Sequence, residues 1–316
     1  MEALLRAWEE TTPGRKRTVS LMDEGMAFPM TLIAGTRPGK TVLLTAGIHG
    51  CEYCSIQAAI ELAAQWTPEQ VSGRVAIVHV ANMSGFWERL PAIAAEDGKN
   101  LNRVFPGNSA GTHSEKLAYG ISELQARSDF YIDMHGGDLH ESLHPFVFIP
   151  GRAEPRVTEA AREAAGVLAV DTRVLSSATT GAYNSAAVRG VPSLLIERGG
   201  NGVWSREEVD AYKRDIIAVL HHLGVLRGET DAAREGNGAG ARQRETVAAY
   251  LEADGEGCWY PAVKPGEHVR QGAALGELRD VFGKTEKVHY AQCDGTVLYM
   301  TVSLAVKAGT PLVAYG

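Results

Sequence analysis

The chain has no apolar run approaching the roughly 18 residues a membrane helix needs. Its first ten residues, MEALLRAWEE, carry acids where a secretory leader would carry an apolar stretch. Neither a membrane association nor export is expected, and the default compartment is cytoplasmic. Cysteine is scarce: four in 316 residues, with Cys258 and Cys293 far from Cys51 and Cys54 and from each other. Without a second Cys-x-x-Cys, a four-thiolate zinc site is poorly supported, and reduced thiols are the default. Positive charge is in deficit, at 31 Lys and Arg against 38 Asp and Glu, for a net charge of −7. Nucleic acid and anionic membrane surfaces are therefore not expected partners. What remains, 45% hydrophobic and 22% charged residues, is ordinary globular composition in one large domain plus a smaller one, or two of medium size.

The first 40 residues read as a short helix and a β-hairpin, with strands KRTVSLM and FPMTLIAG and turn chemistry in RPGK. TVLLTAG, a β-branched apolar run ended by Gly47, fits a buried strand, as do RVAIVHVAN, DFYIDMHGG and PSLLIERGG. Helical spacing runs from Ser55 to Gln65, and HSEKLAYGISELQAR, PRVTEAAREAAGV and SREEVDAYKRDIIAVLHHLG read as helices too. Strands alternating with helices predict an α/β layer fold around a largely parallel sheet. At about residue 227 the composition turns polar and rich in Gly and Ala, so residues 227–243 read as a linker. Residues 244–316 then give short strand-like pieces separated by glycines, which predicts a small all-β, barrel-like domain. Within it, KPGEHVRQGAALGEL and CDGTVLYMTVSLAVKAGTPL hint at a weak internal repeat.

The stretch IHGCEYC holds His49-x-x-Glu52 and Cys51-x-x-Cys54 at once, a metal pair and a redox pair. Alone, neither is specific in a chain with ten histidines. Position adds weight: His49 follows the strand TVLLTAG, His135 follows FYIDM, and Glu197 ends SLLI. In parallel α/β sheets ligands bind outside the carboxyl ends of the strands. Zinc suits two imidazoles and a carboxylate with one position left for water, and a further acid could take a proton from that water. Asp133, two residues before His135, points to the same side of its strand and could fix the tautomer of a ligating histidine. A turn-capping or salt-bridged aspartate is the alternative. Asn102 and Arg103, in GKNLNRVFPG, fall on a loop, where Arg could fork onto a substrate carboxylate or simply be solvated.

GIHGCE, NLNRVFPG, DMHGG and IERGG occur in that order between about residues 40 and 200. In this the chain resembles the succinylglutamate desuccinylase/aspartoacylase family of M14-type zinc hydrolases, in its N-acyl amino acid or diamino acid deacylase-like branch. The small β-domain is also a family feature. The resemblance implies a carboxypeptidase-like fold over residues 1–226, with one zinc ion per chain held by His49, Glu52 and His135. It implies substrate contacts from Asn102 and Arg103, and Glu197 as the base that activates the attacking water and reprotonates the leaving amine. Arg89 is the nearest candidate for an upstream arginine that polarises the scissile carbonyl. No match is found for the arginine that reads a side-chain carboxylate in true aspartoacylases; GAYNSAAVRG offers Tyr183, Asn184 and Arg189 without a clear counterpart.

The expected function is zinc-dependent hydrolysis of an amide bond in a small N-acyl amino acid or related amide. The expected partner is that small molecule, bearing a carboxylate; a homo-oligomer remains compatible with the sequence. The rivals are a carboxypeptidase acting on short peptides and a non-catalytic metal-containing binding protein. Cys51 and Cys54 are expected to be buried and without redox function. Trp87, Trp204 and Trp259 are expected to pack, and His140 and His144 to be loop residues, with lining of the pocket as their alternative. His221 and His222 suit the end of a helix. Lys284 and Lys287 lack the flanking sequence of a lipoyl or biotinyl hairpin.

Overall fold

Successive side chains of a strand point to opposite faces, and the central sheet sorts its residues accordingly. Val42, Leu44 and Ala46 pack on one face with Phe130, Ile132 and Met134, whereas Leu43 and Tyr131 pack on the other. The computed structural model describes residues 2–23, 26–227 and 243–316. Its strands in the first part of the chain are β1 (Arg15–Asp23), β2 (Met26–Ala34), β3 (Arg37–Ala46), β4 (Ser72–Val78) and β5 (Phe130–His135). They continue with β6 (Glu141–Leu143), β7 (Phe146–Pro150), β8 (Thr172–Ser176), β9 (Ser193–Glu197) and β10 (Arg244–Thr246). All but β6 form one nine-stranded sheet in the order β1-β2-β4-β3-β5-β9-β7-β8-β10.

Five of the pairings are parallel and three antiparallel. The sheet is therefore mixed, with a parallel centre β4-β3-β5-β9. The antiparallel β7, which the sequence does not announce, breaks the run. RPGK is not a turn: it opens β3, where a register shift between Arg37 and Thr41 absorbs Pro38 and Gly39 as a bulge.

The helices are α1 (Glu2–Glu10), α2 (Tyr53–Gln65), α3 (Met83–Glu88), α4 (His113–Gln125), α5 (Pro155–Ala165), α6 (Ala182–Val188) and α7 (Arg206–His222). α2, α5 and α7 cover the face that carries Val42. α1, α4 and α6 cover the other. Among the described residues no helix is long and apolar enough to cross a membrane.

Beyond β10 come β11 (Ala249–Glu252), β12 (Gly257–Pro261), β13 (His268–Val269), β14 (Ala274–Arg279), β15 (Thr285–Tyr290), β16 (Gly295–Thr301), β17 (Ala305–Val306) and β18 (Pro311–Tyr315). They make two small sheets around Trp259, Leu275, Val297 and Leu312. The expected linker lies outside the described residues except for Arg227 and Gln243. β6 extends one of the small sheets by pairing antiparallel with β16, and Phe146 and Val174 of the large sheet pack with Leu298 and Ala314.

Candidate metal centre and active site

β3, β5 and β9 are parallel neighbours, so their carboxyl ends emerge on one edge. His135 lies opposite Glu197 in the β5–β9 register. His49 stands three residues beyond the end of β3, on a tight turn that leads into α2. The turn presses against α3: a Cβ on Gly50 would lie 2.2 Å from the Phe86 nitrogen, so only glycine fits. Glu52 takes the N-cap position of α2, where the helix dipole favours a carboxylate.

The side chains of His49, Glu52 and His135 meet. One donor atom from each lies within 4.8 Å of the others. Nδ1 of His49 is 2.6 Å from Glu52 Oε1, and Nδ1 of His135 is 3.0 Å from Glu52 Oε2. On their far sides, Nε2 of His49 lies 3.1 Å from Asn100 Oδ1, and Nε2 of His135 lies 3.3 Å from Asp133 Oδ1. Each imidazole thus faces acceptors at both nitrogens. A neutral ring has one N–H only, so one nitrogen of each would set a lone pair against an oxygen unless a second proton or a metal ion intervenes. Glu52 Oε2 and His135 Nε2 are buried without a hydrogen-bond partner. Two imidazoles and a carboxylate arranged in this way fit a zinc ion.

The electrostatics agree. Burial by itself would raise Glu52, yet the His135 and His49 charges hold it at about 2. Burial would lower His135, but Glu52 and Asp133 push it well up. Burial raises Glu197 well above the usual carboxylate range; His135 opposes this, and the charges of Glu52, Glu141 and Asp133 add to it. The centre sets three acids, Glu52, Asp133 and Glu197, around two imidazoles, a donor set that suits a divalent cation.

Asp133 is fully buried, accepts from Thr45 Oγ1 at 3.0 Å and Tyr131 OH at 2.9 Å, and lies beside His135. Asn102 is buried; its Oδ1 accepts the Ala182 N–H at 2.8 Å and so anchors the start of α6. Arg103 is exposed, and the one hydrogen bond of its guanidinium among the described residues runs to the Asn102 carbonyl at 3.4 Å. Arg89 is exposed at the left-handed C-cap of α3, with φ 56°, on the side of Cys51 and Tyr53. Cys51 and Cys54 are free and buried, and burial raises both thiols, the reverse of what thiolate chemistry needs. Trp259 packs as expected, but Trp87 and Trp204 are 70% and 53% exposed, contrary to the packing expected of them. His144 bonds Asp171 at 2.9 Å, and His140 is exposed.

Several residues at the site carried no sequence signal of their own. Asn100 belongs to the same short segment as Asn102, and its contact with His49 could have been suspected there. Tyr212 of α7 places its hydroxyl 2.7 Å from the Ile196 carbonyl and 3.0 Å from that of His135, between the two strand ends. Asp138 and Glu141 follow DMHGG closely. Tyr250 and Tyr299 come from the distant C-terminal strands: Glu197 and Arg103 both act on each of them.

A family model described as succinylglutamate desuccinylase/aspartoacylase catalytic domain matches residues 38–223. A curated relative, the N-alpha-acetyl-L-2,4-diaminobutyric acid deacetylase of Halomonas elongata, is 29% identical over 296 residues, covering 89% of this chain and 83% of that protein. The solved succinylglutamate desuccinylase/aspartoacylase from Rhodobacter sphaeroides superposes with a TM-score of 0.81 at 27% identity, covering 95% of this chain and 94% of that one. The ectoine utilization protein EutE (DoeB) from Ruegeria pomeroyi, solved with product bound, gives 0.79 at 26% identity, covering 95% and 93%.

Proposed function

The chain belongs to the succinylglutamate desuccinylase/aspartoacylase family, and from that premise we propose that it is a zinc-dependent hydrolase that removes the acyl group from a small N-acyl amino acid. The observation that carries this is the meeting of His49, Glu52 and His135 beside Glu197 on one sheet edge. The relative from Halomonas elongata, named for deacetylating an N-acetylated diamino acid, supports the reaction class. The division of labour puts the zinc site, Glu197 and the carboxylate-holding residues in residues 1–226, with residues 244–316 walling the cleft.

His49, Glu52 and His135 would hold the metal. Bound there, zinc would act as a Lewis acid toward water and the scissile carbonyl. Asn100 and Asp133 fix the two imidazoles from behind. Glu197 takes the proton of the attacking water and returns it to the leaving amine; it ends β9 directly opposite His135, which places a carboxylate beside the proposed metal ligands. Arg103 forks onto the substrate carboxylate. Asn102 spends its carbonyl oxygen on α6 and keeps its amide N–H groups for the substrate. Arg89 is kept as the group that reaches the carbonyl oxygen, a role its exposed place would need substrate to complete.

Metal analysis of the purified chain, with a screen of N-acyl amino acids and dipeptides by amine release, tests this. Near-stoichiometric zinc is expected, with amine release that is lost to a chelator and restored by zinc. Release from dipeptides alone would make the protein a peptidase, and zinc without turnover of any substrate would make it a binding protein.

A further inference from the structure

Tyr131, Asp133 and His135 stand at period two on one face of β5. Thr45 of β3 lies directly opposite Asp133 in the β3–β5 register. The face around this row is apolar: Leu43, Ile48, Val78, Leu101 and Leu195 pack there with the Tyr131 ring. Thr45, Tyr131 and Asp133 are fully buried, and His135 is nearly so. A carboxylate in such surroundings is costly unless hydrogen bonds answer it.

The answer falls on one oxygen. Asp133 Oδ1 accepts from Tyr131 OH at 2.9 Å and from Thr45 Oγ1 at 3.0 Å, and it lies 3.3 Å from Nε2 of His135. Oδ2 is buried with no hydrogen-bond partner among the described residues. An acid kept for stability alone would have both oxygens satisfied. Here every contact gathers on the oxygen that faces the imidazole. The two hydroxyls also touch each other, Thr45 Oγ1 lying 2.5 Å from Tyr131 OH. Three contacts share two hydroxyl protons, so the pair always keeps at least one donor on Oδ1, and either hydroxyl can stand in for the other.

The consequence reaches the metal centre. Oδ2 is held by nothing among the described residues, so the two hydroxyls set the rotation of the carboxylate from one side and the imidazole meets it from the other. With Oδ1 fixed as an acceptor, the ring proton of His135 belongs on Nε2, and Nδ1 turns its lone pair to the side of Glu52 and His49.

Resting on the reading of His49, Glu52 and His135 as metal ligands, we propose that Tyr131 and Thr45 are positioning residues for the metal. They hold Asp133 so that His135 keeps one tautomer and presents Nδ1 to zinc. Neither hydroxyl touches a metal ligand, and each acts only through the carboxylate.

Zinc affinity is measured by chelator competition on the full chain, for the wild type, Tyr131→Phe, Thr45→Val, the two together, and Thr45→Ser. Because either hydroxyl can replace the other, each single loss should weaken zinc only a few-fold, and loss of both about 10- to 100-fold. Thr45→Ser keeps the oxygen and should match the wild type. The pair is then added to Asp133→Asn, which removes the charge that the hydroxyls hold. There it should change zinc affinity no further; an equal loss in both backgrounds would mean that the two residues act by packing, and would overturn the proposal. Wild-type zinc affinity in the folded pair overturns it as well. If the pair does not fold, the singles decide, and wild-type affinity in both overturns it. A wild type that takes up no zinc overturns the metal reading and this proposal together, whereas zinc bound without amine release from any N-acyl amino acid overturns the hydrolase reading alone.

Discussion

At Glu52 two imidazoles share one carboxylate, and each imidazole is backed by a different acceptor. The backing is testable at Asn100. Asn100→Ala removes the acceptor behind His49 and should weaken zinc about 10- to 100-fold, the usual size for a group that orients a ligand. Asn100→Asp keeps an oxygen there and should retain most of the affinity. Equal zinc affinity in all three proteins by chelator competition would leave Asn100 as a loop cap for Asn102 only. Glu197→Gln keeps shape and hydrogen bonding but cannot take a proton. Its kcat should fall about 10²–10⁴-fold with zinc content unchanged; normal turnover would move the proton shuttle elsewhere. Glu141 adds a pH signature to the metal-free protein. Its folded carboxyl sits at about 7 against an ordinary 4.5, so the fold disfavours the ionised form. The cost is absent below about 4.5, grows as pH rises, and is complete above about 7. Urea unfolding at pH 5 and 8 should therefore show Glu141→Gln gaining on the wild type at pH 8, by on the order of 1–3 kcal/mol. A gain independent of pH would mean that the carboxyl is not strained. That His49, Glu52 and His135 come together could be anticipated from sequence, because each lies in a short motif at or just after a strand. The meeting of Thr45 and Tyr131 on one oxygen of Asp133 could not, because it depends on the β3–β5 register.

α7 shows how one element braces two others. Tyr212 reaches the carbonyls of Ile196 and His135, and Asp215 binds Arg198, the residue after Glu197. A phenol has a single proton, so it serves one carbonyl at a time and holds both strand ends close. Tyr212→Phe should cost about 1 kcal/mol of stability for one buried hydrogen bond. If the brace also sets the His135–Glu197 geometry, kcat should fall several-fold with KM little changed. A loss of stability with kcat intact would make Tyr212 a packing residue. On the outer side, Glu61 of α2 accepts from Gln57, Lys213 and Arg206, which hold it at about 2. That network ties α2, which carries Glu52, to α7. At this scale the long periodic segments were legible: α2, α4, α5, α7 and the strands β3, β4, β5 and β9 all follow their apolar patterns. β7 and β8 escaped because FVFIP and TRVLS are runs of only five residues, too short for periodicity to single out. RPGK misled because a proline and a glycine suit a bulge as well as a turn. The repeat in the C-terminal strands does have a backbone basis. β13 and β17 each have two residues, each is followed by a left-handed glycine, Gly272 or Gly309, and each leads into a longer strand.

The C-terminal strands pack onto the part of the chain that carries the site, although every proposed metal ligand lies before residue 136. β10 joins the edge of the central sheet, β6 joins β16, and Leu298 and Ala314 cover Phe146 and Val174. Removing everything after residue 226 would uncover those apolar side chains, so truncation would confuse loss of solubility with loss of a site. A substitution that keeps the fold is the cleaner probe. Tyr299 lies on β16, beside the strand that carries Glu141, and its ring is half-buried. Its hydroxyl has no hydrogen-bond partner among the described residues, yet Glu141, Glu197 and Arg103 all act on it. Tyr250, from β11, feels the charges of Glu197 and Arg103 as well. An unpaired phenol near the proposed base and the proposed carboxylate-binding arginine could bond a substrate held by both. Tyr299→Phe keeps the ring and its packing and removes only the oxygen. Zinc content and thermal stability should not change. kcat/KM for the preferred N-acyl amino acid should fall about three- to tenfold, the value of one neutral hydrogen bond. Tyr299→Phe at wild-type kcat/KM would confine the C-terminal strands to walling the cleft. A fall in kcat/KM accompanied by zinc loss would show that β16 supports the metal centre through β6.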